Sequence, residues 1–145
     1  MAISQAVCNT FKSELLGAVH DFDSGSGQSF NLALYTSAAN LSAATTVYTT
    51  SGEVSASGQY AAGGGVLQSQ QVSLDGSVGI VDFADLSFTG VTLTARGALI
   101  YNNTTTATKR SVCVLDFGAD KTATSGTFTI VFPAFTSAAA ILRIA

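Results

Sequence analysis

The side chains able to do chemistry are few in this chain, and they are scattered. One histidine, two cysteines and nine acidic residues are spread over 145 positions. His20 follows a helical pattern and precedes Asp21. A nucleophilic triad would also need a serine held at that ring. The Gly-x-Ser-x-Gly elbow that presents such a serine does not occur. A histidine at a helix end is accounted for by the favourable field of the helix C-terminus, so His20 reads as structural.

Four of the nine carboxylates fall in two short runs, Val81-Asp-Phe-Ala-Asp85 and Asp116-Phe-Gly-Ala-Asp120. A general acid–base pair needs two carboxylates flanking a cleft at a set separation. An oxygen-rich cation site needs more ligands than these, and calcium-loop spacing is absent. Aspartates at strand ends commonly accept hydrogen bonds from turn amides, and that is the role expected of Asp82, Asp85, Asp116 and Asp120.

Asp116-Phe117-Gly118 matches a kinase tripeptide without the nucleotide loop, lysine strand and catalytic loop that give it meaning. Ala61-Ala-Gly-Gly-Gly65 lacks the Gly-Lys-Ser/Thr of a phosphate loop. Three glycosylation sequons, at Asn40, Asn102 and Asn103, carry little weight in a chain with 18 Thr and 17 Ser. Tyr35, Tyr48, Tyr60 and Tyr101 could stack on sugars, but without tryptophan they read more simply as sheet-rim tyrosines. Cys8 and Cys113 are too few for a disulfide framework or a structural zinc site and read as small buried hydrophobes. No catalytic, cofactor-binding or metal-binding residue is assigned. The chain reads as a non-enzymatic structural or binding protein.

Composition narrows the field further. Charged residues are 10% of the chain, against about 25% in an ordinary globular domain, while the apolar fraction, 47%, is ordinary. Thr, Ser, 22 Ala and 14 Gly take the place of charge. Six cations spread over the whole length cannot form a phosphate-tracking stripe, which argues against nucleic acid. No apolar run reaches the roughly 18 residues of a membrane-spanning helix, and no membrane partner is expected. Residues 1–12 lack the charged and apolar regions of a secretion signal.

The elements that would carry these residues are mainly β. Val7, Phe11, Leu15 and Val19 recur at i+4 and predict a helix over 4–20, with Ser4 as a candidate cap. A Gly- and Ser-rich breaker follows at Asp23–Gly27. From 28 to 145 the apolar residues alternate, as in Phe30/Leu32/Leu34, Val91/Leu93/Ala95 and Phe128/Ile130/Phe132. Asp75-Gly76 is a hairpin signal between runs 66–74 and 77–83. The chain is therefore expected to be a single domain, 1–145: an antiparallel β-sandwich, or jelly-roll-like barrel, with one N-terminal α-helix.

One stretch differs from the rest. In 36–65, Ala, Ser, Thr and Gly fill 22 of 30 positions, and Glu53 is its single charge. It reads either as a meander of short edge strands or as an extended, low-charge contact arm. As an arm it would touch a neighbour through Tyr48, Val54 and Tyr60, with Glu53 as a polar latch. The polar tip 102–108 is a second candidate contact, through Asn102, Asn103 and Thr105.

The whole chain resembles a family of small structural proteins of tailed bacteriophages, frequent in marine and cyanobacterial phages. The resemblance lies in an ordered string of segments. These are Met1–Cys8 with Phe11-Lys12 and Glu14–Leu16, Phe30–Ser37, Thr45–Thr49, Glu53–Ser55, Gly58-Gln-Tyr60 leading to Gly63-Gly64, Val81–Asp85, Thr94–Asn102, Val114–Thr122 and Ile141–Ala145. Gln59 is an addition to that pattern. The resemblance implies a virion component assembled in the host cytoplasm, with capsid decoration (cement) as the leading role. Its partners would be copies of itself and the phage major capsid protein. A tail, fibre or head-fibre component touching the host surface is the alternative. A charge-poor surface suits close packing in a symmetric particle.

Overall fold

The structure, a computed structural model, describes residues 2–104 and 108–145. It is mainly β, with antiparallel sheets that pack as a sandwich and one short helix near the N-terminus. In chain order the elements are β1 (Ala6–Val7), α1 (Asn9–Leu16), β2 (Phe30–Tyr35), β3 (Gly65–Val66), β4 (Gln71–Asp75), β5 (Val78–Asp82), β6 (Leu86–Asn102), β7 (Ser111–Ile130) and β8 (Leu142–Ile144). Five strands form one sheet in the order β1-β7-β6-β2-β3, and three form a second in the order β4-β5-β8.

The long β6–β7 hairpin is the spine. Ladder partners share a face, so the register separates two sets of side chains on the large sheet. Phe30, Leu32 and Leu34 of β2 line up with Asn102, Ile100 and Ala98 of β6. Asn31, Ala33 and Tyr35 line up with Tyr101, Leu99 and Gly97 on the other face. Simple alternation predicts that one of these faces is wet. All six residues of β2 are buried, because both faces are covered.

An aromatic layer covers the first face. Phe22 stacks on Phe30 with ring centroids 4.3 Å apart, Phe83 packs on both, and Phe132 lies against Phe83. Phe11, the one fully buried residue of α1, meets Phe22 edge-on. This layer joins α1 and the small sheet to the large one.

The helix is shorter than the expected 4–20. Ala6 and Val7 pair with Val114 and Cys113 of β7, so the backbone there belongs to a ladder. Gly17 caps the end, its N–H donating to Ser13 O, and Ala18 follows at φ 58°, outside helical space. Cys8, not Ser4, is the N-cap residue, with no side-chain capping bond. Cys8 and Cys113 are buried free thiols, and burial pushes the Cys113 thiol up to about 12.

The hairpin turn sits one residue beyond Asp75-Gly76. Asp75 pairs with Val78, leaving Gly76-Ser77 as the two-residue loop. Gly76 has φ +63° and Ser77 has no positive φ, which suits a turn that demands glycine at its first central position only.

The 36–65 segment does not reach away from the body. It lies across the second face of the large sheet as turns and isolated bridges, Tyr35 with Glu53 and Val47 with Arg110 among them. Four of its own residues, Ala39, Leu41, Val54 and Tyr60, are buried. Its last turn presses backbone on backbone: Gly64 has φ +79°, and a Cβ there would collide with the Leu32 carbonyl. Gly64→Ala is therefore expected to cost about 2–4 kcal/mol, from left-handed strain plus overpacking. In a thermal melt that is a midpoint lower by roughly 5–15 °C.

Candidate functional site

All four tyrosines of the chain gather beneath the 36–65 segment, around Glu53. Tyr60 Oη donates to Glu53 Oε1 at 2.8 Å, and Gly63 N donates to the same oxygen at 2.6 Å. Tyr48 Oη donates to Oε2 at 2.5 Å. Tyr101 stacks on Tyr48 at 4.8 Å between centroids and donates to Gly63 O. Tyr35 donates to Thr49 O at 2.6 Å, and Leu34 N donates to Tyr60 Oη at 2.8 Å. Burial, reinforced by the Glu53 charge, pushes the phenols of Tyr35, Tyr48 and Tyr60 well above their ordinary range. They are neutral donors, Tyr48 and Tyr60 to the Glu53 carboxylate and Tyr35 to the Thr49 carbonyl.

Val54 and Tyr60, expected to anchor on a neighbour, are instead buried in their own fold. Glu53, expected as a latch to a partner, closes an internal network. Tyr48 remains half-buried, with Lys109 Nζ 5.2 Å above its ring. The residues come together as the sequence grouped them, but the group faces inward.

A second network lies on the other face. Asn102 Oδ1 accepts from Thr104 N, which turns Nδ2 toward Gln28 Oε1 at 2.7 Å and His20 Nδ1 at 3.1 Å. His20 Nδ1 is thus an acceptor, and Nε2–H donates to Glu14 Oε1 at 3.1 Å. Arg110 holds the other Glu14 oxygen. The ring is fully buried and both its nitrogens are occupied. His20 lies four residues beyond the end of α1, so this network, not a helix terminus, accounts for it. Asn102, expected in an exposed contact tip, is buried here. Asn103 is exposed with its N–H on Ser29 O, and Thr105 lies outside the described residues.

The aspartates are not a pair across a cleft. Asp85 accepts from Phe132 N at 2.8 Å. Asp116 and Asp120 were expected at a strand end, yet they flank a bulge within β7, where the register jumps from Gly97↔Asp116 to Ala95↔Lys121. Asp116 accepts from Gly118 N, and Arg96 lies 3.6 Å from Asp116 and 3.9 Å from Asp120. Among the described residues no three His, Cys, Asp or Glu side chains converge as a metal cage.

Two features escaped the sequence. The first is the inward Glu53–tyrosine cluster. The second is an open groove of about 620 Å³ between α1 and the small sheet, with Phe11, Leu15, Val81 and Leu142 among its lining. Its rim carries Leu16, Val72 and Ile144, which are 90%, 57% and 62% exposed, and Leu74 beyond them is 70% exposed. Val72 and Leu74 alternate with polar residues in β4, a pattern that ordinarily marks a core face. Here the small sheet extends past the core, and the face continues into solvent.

Compared with protein-family models, curated proteins and solved structures, the chain matches none.

Two measurements test the networks. Glu53→Ala leaves two phenols and an amide without their acceptor and is expected to cost about 2–3 kcal/mol, read as a lower urea midpoint; Glu53→Gln, which keeps one acceptor, loses less. Burial holds the His20 pKa below its unfolded value of about 6.5, against the opposing pull of Glu14. The folded chain then binds fewer protons than the unfolded one as pH falls through that value. His20 stabilisation is complete above about pH 6.5 and is lost as pH drops through the folded pKa. The urea midpoint should fall from pH 7.5 to 5.5 in the wild type, and fall less in His20→Gln.

Proposed function

We propose that this chain is a non-enzymatic virion structural protein and, within that class, a capsid decoration protein that packs against copies of itself and against the major capsid protein. The observation that carries the reading is a neutral outer surface. The 36–65 segment has one charge, and that charge is turned inward to Tyr48, Tyr60 and Gly63. What remains outside is Ser, Thr, Ala, Gly, Asn and Gln, with Val47. Apart from Lys109 over Tyr48, such a surface can lie close to a neighbour without desolvating charge.

Two further points support it. The segment is held down by hydrogen bonds and close backbone contact, so docking through it orders little new chain. The exposed apolar face of the small sheet is the kind of surface that is covered in an assembly. The ordered segments Phe30–Ser37, Thr94–Asn102 and Val114–Thr122, on which the resemblance to small phage structural proteins rests, include much of the spine.

The test is co-sedimentation of the purified protein with heads assembled from the major capsid protein encoded in the same genome. Saturable binding at a fixed ratio to capsid subunits is expected, with a higher temperature of DNA release from decorated heads. Absence of binding overturns the assignment. Immunogold label on the tail or fibres instead of the head moves the protein to the host-contact role.

A further inference from the structure

We infer that β4 is a self-complementary edge through which two copies of this chain join their small sheets into one six-stranded sheet. The inference deepens the reading of the chain as one that packs against itself, and it names the surface.

Hydrogen-bond parity decides which backbone groups of β4 face away from its own sheet. β4 is one of the two edge strands of the β4-β5-β8 sheet. A two-residue loop makes its closing pair, Asp75 with Val78, a hydrogen-bonded pair. Residues then alternate: Gln71, Ser73 and Asp75 turn their N–H and C=O toward β5, and Val72 and Leu74 turn theirs outward. Among the described residues no strand or loop takes those outward groups. All five residues of β4 are exposed.

Edges are ordinarily guarded by lysine, proline, a bulge or a covering element. β4 reads Gln-Val-Ser-Leu-Asp, with none of the first two, and its pairing with β5 is regular. Its one charged residue, Asp75, is already engaged by Ser137 N.

The second copy is favoured as occupant because the strand matches itself. An antiparallel two-fold centred on Ser73 places Val72 opposite Leu74 of the second copy, and Leu74 opposite its Val72. Both members of each pair have outward backbone groups, so the parity is that of a hydrogen-bonded pair. The two Ser73 residues meet as a non-hydrogen-bonded pair. Gln71 faces Asp75 of the second copy, an amide against a carboxylate, and the two Asp75 side chains lie at opposite ends of the ladder. Val72 and Leu74 share one face, so the contact also covers the most exposed apolar side chains of the strand. An isologous contact of this kind closes on itself and does not grow into a fibre.

Cysteine cross-linking tests the register. Cα atoms in a non-hydrogen-bonded antiparallel pair lie about 4.5 Å apart, within disulfide reach. Under mild oxidation Ser73→Cys should give a disulfide-linked dimer in high yield. Gln71→Cys, equally exposed on the same strand, should give at least about five-fold less, because its counterpart is Asp75. The native thiols are buried and supply the wild-type background. In sedimentation equilibrium the wild type should approach twice the chain mass with rising concentration, and Val72→Lys/Leu74→Lys should stay at the monomer mass with an unchanged circular dichroism spectrum.

Equal linking by both cysteine variants, linking by neither, or a double-lysine variant that still dimerises overturns the inference. So does a wild type that stays monomeric while the edge captures an extended peptide. Capsid binding is scored separately. Linked dimers that ignore capsids sink the decoration reading and leave this one standing, and capsid binding without the Ser73 link does the reverse.

Discussion

Three donors, the hydroxyls of Tyr48 and Tyr60 and the backbone N–H of Gly63, converge on the Glu53 carboxylate, and they tie the 36–65 segment down over one face of β2. Residues 36–65 are too rich in Ala, Ser, Thr and Gly to pack by hydrophobic burial alone. A few buried anchors, Leu41, Val54 and Tyr60, supply apolar area, and the carboxylate ties the intervening turns to them. Hydrogen bonds to a charged acceptor are worth about twice those between neutral groups, which is why a single glutamate can organise thirty weakly packing residues.

The opposite face is closed by different physics. A layer of phenylalanines joins α1 and the small sheet to β2 and β6, and nondirectional burial does most of that work. A polar inclusion, His20 with Glu14, Asn102, Gln28 and Arg110, has its ring nitrogens matched donor to acceptor. That network ties the segment after α1 to the end of β6 and the start of the β7 region. The two faces together explain why β2 is buried throughout, although its sequence alternates as if half of it met water.

Much of this was legible in the residues. Period-two alternation marked the strands, the Asp75-Gly76 signal marked the hairpin to within one residue, and two cysteines, too few for a disulfide framework or a zinc site, read as the buried free thiols they are. The i+4 stripe of Val7, Phe11, Leu15 and Val19 overstated the helix, because β1 pairing and the left-handed Ala18 consume its ends. Tyr48, Glu53, Val54, Tyr60, Asn102, Asn103 and Thr105 stand out in the sequence as candidate contacts; in the fold Val54, Tyr60 and Asn102 are buried and Glu53 binds its own chain, whereas Tyr48 stays half-buried and Asn103 exposed. A polar or aromatic residue in a weakly patterned segment has the same local signature whether it turns toward its own sheet or toward a neighbour.

Local periodicity and composition therefore determined the class of fold, the low surface charge and the residues that stand out within a bland stretch. These are properties of short windows, in which backbone propensity and side-chain alternation act between near neighbours. Tertiary structure alone decided which way Glu53 and the tyrosines face, that both faces of β2 are covered, and that the small sheet projects beyond the core with Val72, Leu74 and Ile144 in solvent. Those outcomes depend on which distant segments meet. Tyr60 reaches the backbone of Leu34 and Asn102 reaches His20 only after the chain has closed loops of 26 and 82 residues. A contact at that separation has no signature in the residues beside it, because its partner is set by the path of the whole chain.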